Sequence, residues 1–495
     1  MFWADKLLEN RTGTEWVNDA WTPSGIIHMG GLKGPVIHDV LYKILKSQGR
    51  EVKFTYGFDD YDPIDGLPSA LQEKLGQYMG IPVCIAPSPD GNGTFGEYYS
   101  SIMRSLFKSL QIDAEIYLAS DYYKQGKYDD AMRFVLDHVE DIRKVYGEMY
   151  GKEIAPDWYP VQVVCPSCRK LGTTKVTAWD GNEVTYECSP TLVKWAEGCS
   201  NSGKISPFKG NAKLAWKVEW AAKWWTFGVT IEGAGKDHAS SGGSYDIAHK
   251  LIVDVFKKEG PLRVPYEFFL YDGKKMSSSK GLGLTGQELL EVMSPEMVRF
   301  LMIKTPPNTA VEFNPFGTQI IPKLFEDYQK AASEFANHEE TDLARAFELS
   351  QTGNAVASPK FRFLTLAQWV QMPNMEEEIE KEGLTEWAKY AKIWIEKYAP
   401  ESDKFLIQKE LPDVSGLSNI QREYLKSLIP LFENEISAEE LQAAVYERAK
   451  ESGISSIDAF KAIYTAFLGK DHGPKAAWLL QSLDRDFVKS RLSSF

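Results

Sequence analysis

Two short segments of this 495-residue chain carry residue types suited to handling phosphate. The first, Pro23-Ser24-Gly25-Ile26-Ile27-His28-Met29-Gly30, puts a histidine and a glycine where a helix is expected to start. A helix N-terminus offers unpaired N–H groups and partial positive charge, and glycine there lets the backbone approach a ligand closely. The imidazole of His28 is placed to hydrogen-bond a phosphate oxygen as its charge grows. The second segment, Lys275-Met276-Ser277-Ser278-Ser279-Lys280, sets two cations and three hydroxyls on a loop flanked by Gly273, Gly281 and Gly283. Such a loop is suited to closing on a pyrophosphate leaving group. Alone, His28 reads as a capping or core residue and the lysine-serine run as a solvated loop; together they point to one triphosphate. No Gly-x-x-x-x-Gly-Lys-Ser/Thr loop occurs, which removes the common phosphate-loop ATPases.

Other clusters carry weaker signals. Asp59, Asp60 and Asp62 crowd the end of an expected strand, where an exposed turn is the plain alternative. Trp216 and Trp220 stand at helical spacing, more often a core pattern, and Asp237-His238 follow the glycine-rich Glu232-Gly233-Ala234-Gly235. The chain has five cysteines, too few for a disulfide scaffold at this length. Four of them, Cys165, Cys168, Cys188 and Cys199, lie close together and suggest a structural zinc site, although Cys199 stands further from Cys188 than a zinc ribbon would place it. Buried thiols are the alternative, and Cys84 reads as one.

These residues need a scaffold. Trp16–Trp21 reads as a strand, and Val36, Ile37, Val40, Leu41, Ile44 and Leu45 mark one face of a helix. Gly49 stops that helix and Val52–Phe58 alternates as a second strand, so the chain opens as a strand-helix-strand unit of a doubly wound sheet. Pro82–Gly96 reads as a loop, 97–150 as helices, Thr173–Ala178 and Glu183–Tyr186 as short strands, and Tyr266–Tyr271 as a strand. Thr285–Glu288 and Ser437–Glu440 have capping-box spacing, with amphipathic runs at 419–433 and 457–468. The expected fold is α/β: a Rossmann-type doubly wound parallel sheet with an inserted zinc-knuckle region and an all-helical C-terminal domain. The expected boundaries are 1–96 for the first half of the catalytic domain, 97–212 for a connective insertion with its knuckle at 158–205, 213–260 for the second half, 261–317 for the lysine-serine loop region, and 318–495 for the helical domain.

Composition narrows the class. At 43% apolar and 25% charged the chain matches soluble globular enzymes. A formal charge of −13 argues against a protein that merely coats nucleic acid, without excluding a local RNA-binding face. No run approaches the roughly 18 apolar residues of a membrane span, and the start has no secretory signal pattern. The expectation is a cytoplasmic enzyme that binds neither membrane nor DNA.

Pro-Ser-Gly-Ile-Ile-His-Met-Gly followed much later by Lys-Met-Ser-Ser-Ser-Lys-Gly resembles the two signature motifs of class I aminoacyl-tRNA synthetases. With FDDYDP, CPSC, KLAWKVEWAAKW, EGAGKDH and FLGKDHGPKAAWLL spread over nearly the whole chain, it most resembles the class I lysyl-tRNA synthetase family. The resemblance implies activation of L-lysine by ATP with Mg²⁺, then transfer to the 3′-terminal adenosine of tRNA-Lys, with the helical domain reading the anticodon. It implies catalytic roles for His28, Lys275 and Lys280, and ATP contacts from Pro23, Gly25, Gly30, Met276, Ser277, Ser278 and Ser279. It also implies lysine contacts from Thr22, Asp59, Asp60, Trp216, Trp220, Asp237 and His238, and zinc held by the four cysteines. Two positions depart from the family pattern: Gly31 stands where a second histidine is usual, and Ser278 where a lysine is usual, leaving Lys280 to supply that charge. A glutamyl or glutaminyl type of synthetase is the nearest alternative, but no arginine for a side-chain carboxylate lies near Thr22–Gly30 or Asp59–Pro63. A small-molecule nucleotidyltransferase and a non-catalytic zinc-bearing RNA-binding protein are more distant readings.

Overall fold

β1 (Glu15–Trp21) is a central strand, covered on both faces for much of its length, and parallel strands so placed are normally apolar. Asn18 and Asp19 interrupt that pattern while remaining buried. The chain then makes a short 3-10 turn, Met29–Leu32, and the helix Lys33–Ser47, whose apolar face packs on the sheet. Gly49 adopts φ +71°, a left-handed conformation that costs glycine little, and returns the chain to the sheet. β2 (Val52–Phe58) pairs in parallel with β1 from Glu15 opposite Val52 to Trp21 opposite Phe58. The helix Phe95–Leu110 opens with a Thr94–Glu97 capping box. β3 (Glu115–Leu118), inside the stretch expected to be wholly helical, extends the sheet beside β2. Its four residues are too few for their alternation to stand out between two helices.

An insertion follows. β4 (Val161–Val163) will pair with a later strand; β5 (Thr174–Trp179), β6 (Val184–Cys188) and β7 (Ser202–Ile205) form an antiparallel sheet; and β8 (Ala212–Leu214) closes on β4. The helix Trp216–Phe227 leads back to β9 (Ile231–Gly235), and β10 (Leu262–Tyr266) ends the main sheet. Its order is β10-β9-β1-β2-β3, all parallel. Strand order reverses between β1 and β9, the crevice where such sheets bind ligands.

The expected strand Tyr266–Tyr271 is in fact two pieces. Tyr266 ends β10, whereas β11 (Phe269–Tyr271) belongs to a small sheet with β12 (Lys274–Lys275) and β13 (Val311–Glu312). Lys33 explains the step between them: its buried Nζ donates to the carbonyls of Glu267, Pro307 and Thr309 at 3.1, 3.2 and 3.3 Å, drawing the chain out of the main sheet.

The structure is a computed structural model that describes residues 1–276, 283–353 and 358–495. It divides into two units, one made of Met1–Leu290, Val298–Phe313 and Asn337–Gly353, the other of Glu291–Met297, Asn314–Ala336 and Asn354–Phe495. The main sheet thus runs past the boundary expected at 260. Residues 337–353, expected in the helical domain, return to the first unit, where Arg345 grips the Asp5 carboxylate at 2.8 and 3.0 Å. The second unit is helical. Its core gathers Leu425, Val445, Ile463, Phe467, Leu480 and Val488, and the Ser437–Glu440 capping box forms as the spacing predicts. Among the described residues no helix is long and apolar enough to cross a membrane.

Candidate active site

A cleft of about 960 Å³ in the first unit is lined by His28, Gly30, Asp237, His238, Lys275 and Met276, with Asp19, Tyr56, Tyr266 and Phe269 among its other walls. The two phosphate-handling segments therefore meet although they lie far apart in sequence. Backbone bonds fix the first: Met29 N–H donates to Leu284 O at 2.8 Å, and Gly286 N–H to Ile27 O at 3.2 Å. The strand-like bridge of His28 with Thr285 completes this clamp, so the residues after the lysine-serine loop hold the histidine's backbone.

Gly30 has little freedom to be anything else. A Cβ there would lie 3.0 Å from two atoms of the His28 ring, whereas one on Gly25 would meet open space. At Gly31 a Cβ would fall 2.6 Å from Ile27 Cγ1, so the missing second histidine is matched by an isoleucine that occupies its room. Burial, reinforced by the nearby Lys275 ammonium, pushes the His28 pKa down. Its Nδ1 is buried and finds no hydrogen-bond partner among the described residues. Lys275 pairs with Asp237 and lies 4.6 Å over the Phe268 ring, its pKa lowered by burial. Met276 is fully buried. Ser277, Ser278, Ser279 and Lys280 lie outside the described residues.

The expected lysine contacts divide. Asp237 and His238 line the cleft; Thr22, Asp59, Asp60, Trp216 and Trp220 do not, and neither does Pro23, expected as an ATP contact. Asp59 pairs with Lys223 at 3.3 Å, and Asp62 with Lys213 at 3.0 Å while accepting from Thr22 at 2.7 Å. Lys213 also pairs with Glu219. Asp60 is buried and accepts from Ser120 N–H at 2.8 Å and Ser120 Oγ at 2.7 Å. These carboxylates are thus occupied by partners of the chain itself. Trp220 donates to Glu232 at 2.7 Å, beside similar bonds from Trp224 and Asn18, and so braces β9. Trp216 stacks on Trp220 and meets the edge of His238, with ring centroids 5.4 Å apart in the second contact. The tryptophans stand behind His238. Asp19, Tyr56 and Tyr266 escaped sequence reasoning. The signal available was a polar pair, Asn18-Asp19, inside a strand at the heart of a parallel sheet.

In the insertion, the sulfurs of Cys165, Cys168, Cys188 and Cys199 all lie within 4.8 Å of one another. Cys165 to Cys199 and Cys168 to Cys188 each span 3.6 Å. The long excursion between Cys188 and Cys199 closes on itself, with Cys188 N–H donating to Asn201 O at 2.7 Å and Ser200 N–H to Cys188 O at 2.9 Å. The sequence distance that looked wrong for a ribbon is taken up by this loop.

Residues 2–353 match the family model described as tRNA synthetases class I (K), and residues 382–495 match an anticodon binding domain. A lysine–tRNA ligase of Archaeoglobus fulgidus is 33% identical over 513 residues, covering 100% of both chains. Another, of Methanosarcina barkeri, is 33% identical and covers 99% of this chain and 96% of its own. A solved glutamate tRNA ligase from Elizabethkingia meningosepticum is a remoter likeness, at 12% identity and a TM-score of 0.47, covering 97% of this chain and 99% of that one.

Proposed function

This chain belongs to the class I lysyl-tRNA synthetases, and from that premise we propose that its cleft joins L-lysine to ATP and then to tRNA-Lys. In the first step a carboxylate oxygen of lysine attacks the α-phosphorus in line, the bond to the β-phosphate bridge breaks, and pyrophosphate leaves with the electron pair. A lysine carboxylate is ionised at pH 7, so the step needs placement and charge stabilisation and no general base. In the second step a hydroxyl of the terminal adenosine attacks the acyl carbon and AMP departs. The reaction belongs in the cytoplasm, where tRNA is charged.

The observation that carries this reading is the meeting of His28 and Lys275 in one cleft at the switch point of the parallel sheet. His28, neutral at pH 7, donates an N–H to a phosphate oxygen. Lys275 exchanges Asp237 for the departing pyrophosphate, and the family resemblance gives Lys280 and the hydroxyls of Ser277–Ser279 a share in binding it. Gly30 keeps the backbone near the phosphates. Mg²⁺, when bound with the triphosphate, supplies further neutralisation of its charge. Four thiolates around Zn²⁺ at about 2.3 Å stand about 3.8 Å apart, close to the sulfur separations of the knuckle. Cys165, Cys168, Cys188 and Cys199 therefore suit a structural zinc that braces the insertion and takes no part in the reaction. The second unit contributes the anticodon contacts.

ATP–pyrophosphate exchange measured with each of the twenty amino acids tests the assignment. Stimulation by lysine is expected; a response to glutamate with none to lysine would overturn it.

A further inference from the structure

We propose that Asp19 is the anion that receives the side-chain ammonium of the substrate lysine. The inference rests on the reading of the cleft as a lysine-activating site. Asp19 sits near the carboxyl end of β1, the strand at which the sheet order reverses, and it lines the cleft with 9% of its side chain exposed.

Its neighbours among the described residues include no lysine or arginine, and the titratable partner beside it is the His38 imidazole. Three acidic groups expected to take this role are held within the chain, Asp59 by Lys223, Asp62 by Lys213 and Asp60 by Ser120, while Asp237 stands against Lys275, the cation assigned to the phosphates. Glu267, also on the cleft, pairs with Lys236 at 2.8 Å. Asp19 has no lysine or arginine partner among the described residues; its Oδ1 accepts only the Ala20 N–H at 2.9 Å. The adjacent ring is His38, with Nδ1 at 3.4 Å from Oδ2. That ring is committed elsewhere. Gly233 N–H donates to Nε2 at 2.8 Å, so Nε2 presents a lone pair, while Nδ1 lies closer to Gly34 O, also at 2.8 Å. Burial opposes a charge on the ring, but the Asp19 carboxylate and the Gly34 carbonyl raise its pKa, so Asp19 has a titratable neighbour there and no permanent cation. A largely buried carboxylate with no permanent cation beside it is costly, and a ligand ammonium would relieve that cost.

Shape agrees with charge. A Cβ on Gly34 would fall 2.6 Å from the Tyr266 hydroxyl and 3.0 Å from Asp19 Oδ2, so glycine lets both side chains approach the helix and set one wall beside the carboxylate. Tyr56 and Tyr266 add aromatic walls suited to an alkyl stem and its cation. Spacing along the helix suits the side-chain ammonium. Gly30 neighbours His28, and Gly34, four residues on, neighbours Asp19. That offset is about 6–8 Å along the helix, comparable with the reach of a four-carbon stem.

The test uses the full chain with the nearly isosteric Asp19→Asn. Lysine-dependent pyrophosphate exchange should show a lysine KM raised about thirtyfold, from the loss of a charge-assisted bond, with the ATP KM held within about threefold. The kcat/KM preference for lysine over norleucine, which lacks the ε-amino group, should fall at least about tenfold. Equal losses for both amino acids, or an unchanged lysine KM, would overturn the inference. Loss of ATP binding in equilibrium dialysis would also overturn it, by showing that Asp19 holds the fold. Wild-type enzyme without lysine-dependent exchange would instead remove the functional reading on which the inference stands.

Discussion

Burial and the Lys275 ammonium both disfavour a charged His28, so the ring meets phosphate as a neutral donor whose bond strengthens as charge gathers on the leaving group. Interactions of that kind act on the maximal rate more than on substrate affinity. His28→Ala is expected to lower the exchange kcat by about a hundredfold or more while the lysine KM stays nearly constant; steady-state kinetics would expose a purely structural role as an unchanged kcat. Asp60 makes a different kind of prediction. Burial raises its pKa to about 6, against the opposing bonds from Ser120. An aspartate in the unfolded chain titrates near 3.9, so the folded state holds this proton more tightly. The resulting stabilisation is complete below pH 4 and is lost as the pH climbs through 6, a swing of roughly 2–3 kcal/mol. Relative to wild type, Asp60→Ser should therefore gain stability between pH 4 and pH 7. Urea midpoints at both values would measure it, and a constant difference would count against the assignment.

At the scale of elements, β1, the helix Lys33–Ser47 and β2 were legible because each is long enough for its period to show. The junction of β10 and β11 was not. Tyr266–Tyr271 has no glycine, proline or other turn residue to mark the break, and the cause of the break, Lys33, lies far upstream. The knuckle lay between these cases: Cys165-x₂-Cys168 was readable, but the closure of the 188–199 excursion depends on backbone bonds that spacing does not encode. Cys165→Ser should reduce bound zinc in the purified protein, measured by atomic absorption, and should lower the thermal midpoint. Equal metal content in mutant and wild type would dismiss the zinc assignment.

Over the whole molecule, the motifs that announce the family were visible in the sequence, whereas the partners that decide individual roles were not. Asp59 and Asp62 looked available for a substrate because Lys223 and Lys213, which hold them, arrive only beyond the insertion and in its last strand. Asp19 was passed over because a lone acidic residue within an apolar strand gives no motif. The division into units sets a further test. A chain ending after Gly353 keeps the Arg345–Asp5 tie that a cut at 318 would remove. It should retain lysine-dependent exchange and lose tRNA charging; retained charging would show that the helical unit is dispensable. The chain crosses from the first unit to the second at Leu290, returns at Val298, leaves again after Phe313 and comes back at Asn337 before departing for good after Gly353. A ribosome making this protein thus exposes pieces of the second unit before the first is complete, and recombination at any single junction cannot exchange one unit while leaving the other whole. The two must be inherited as a pair.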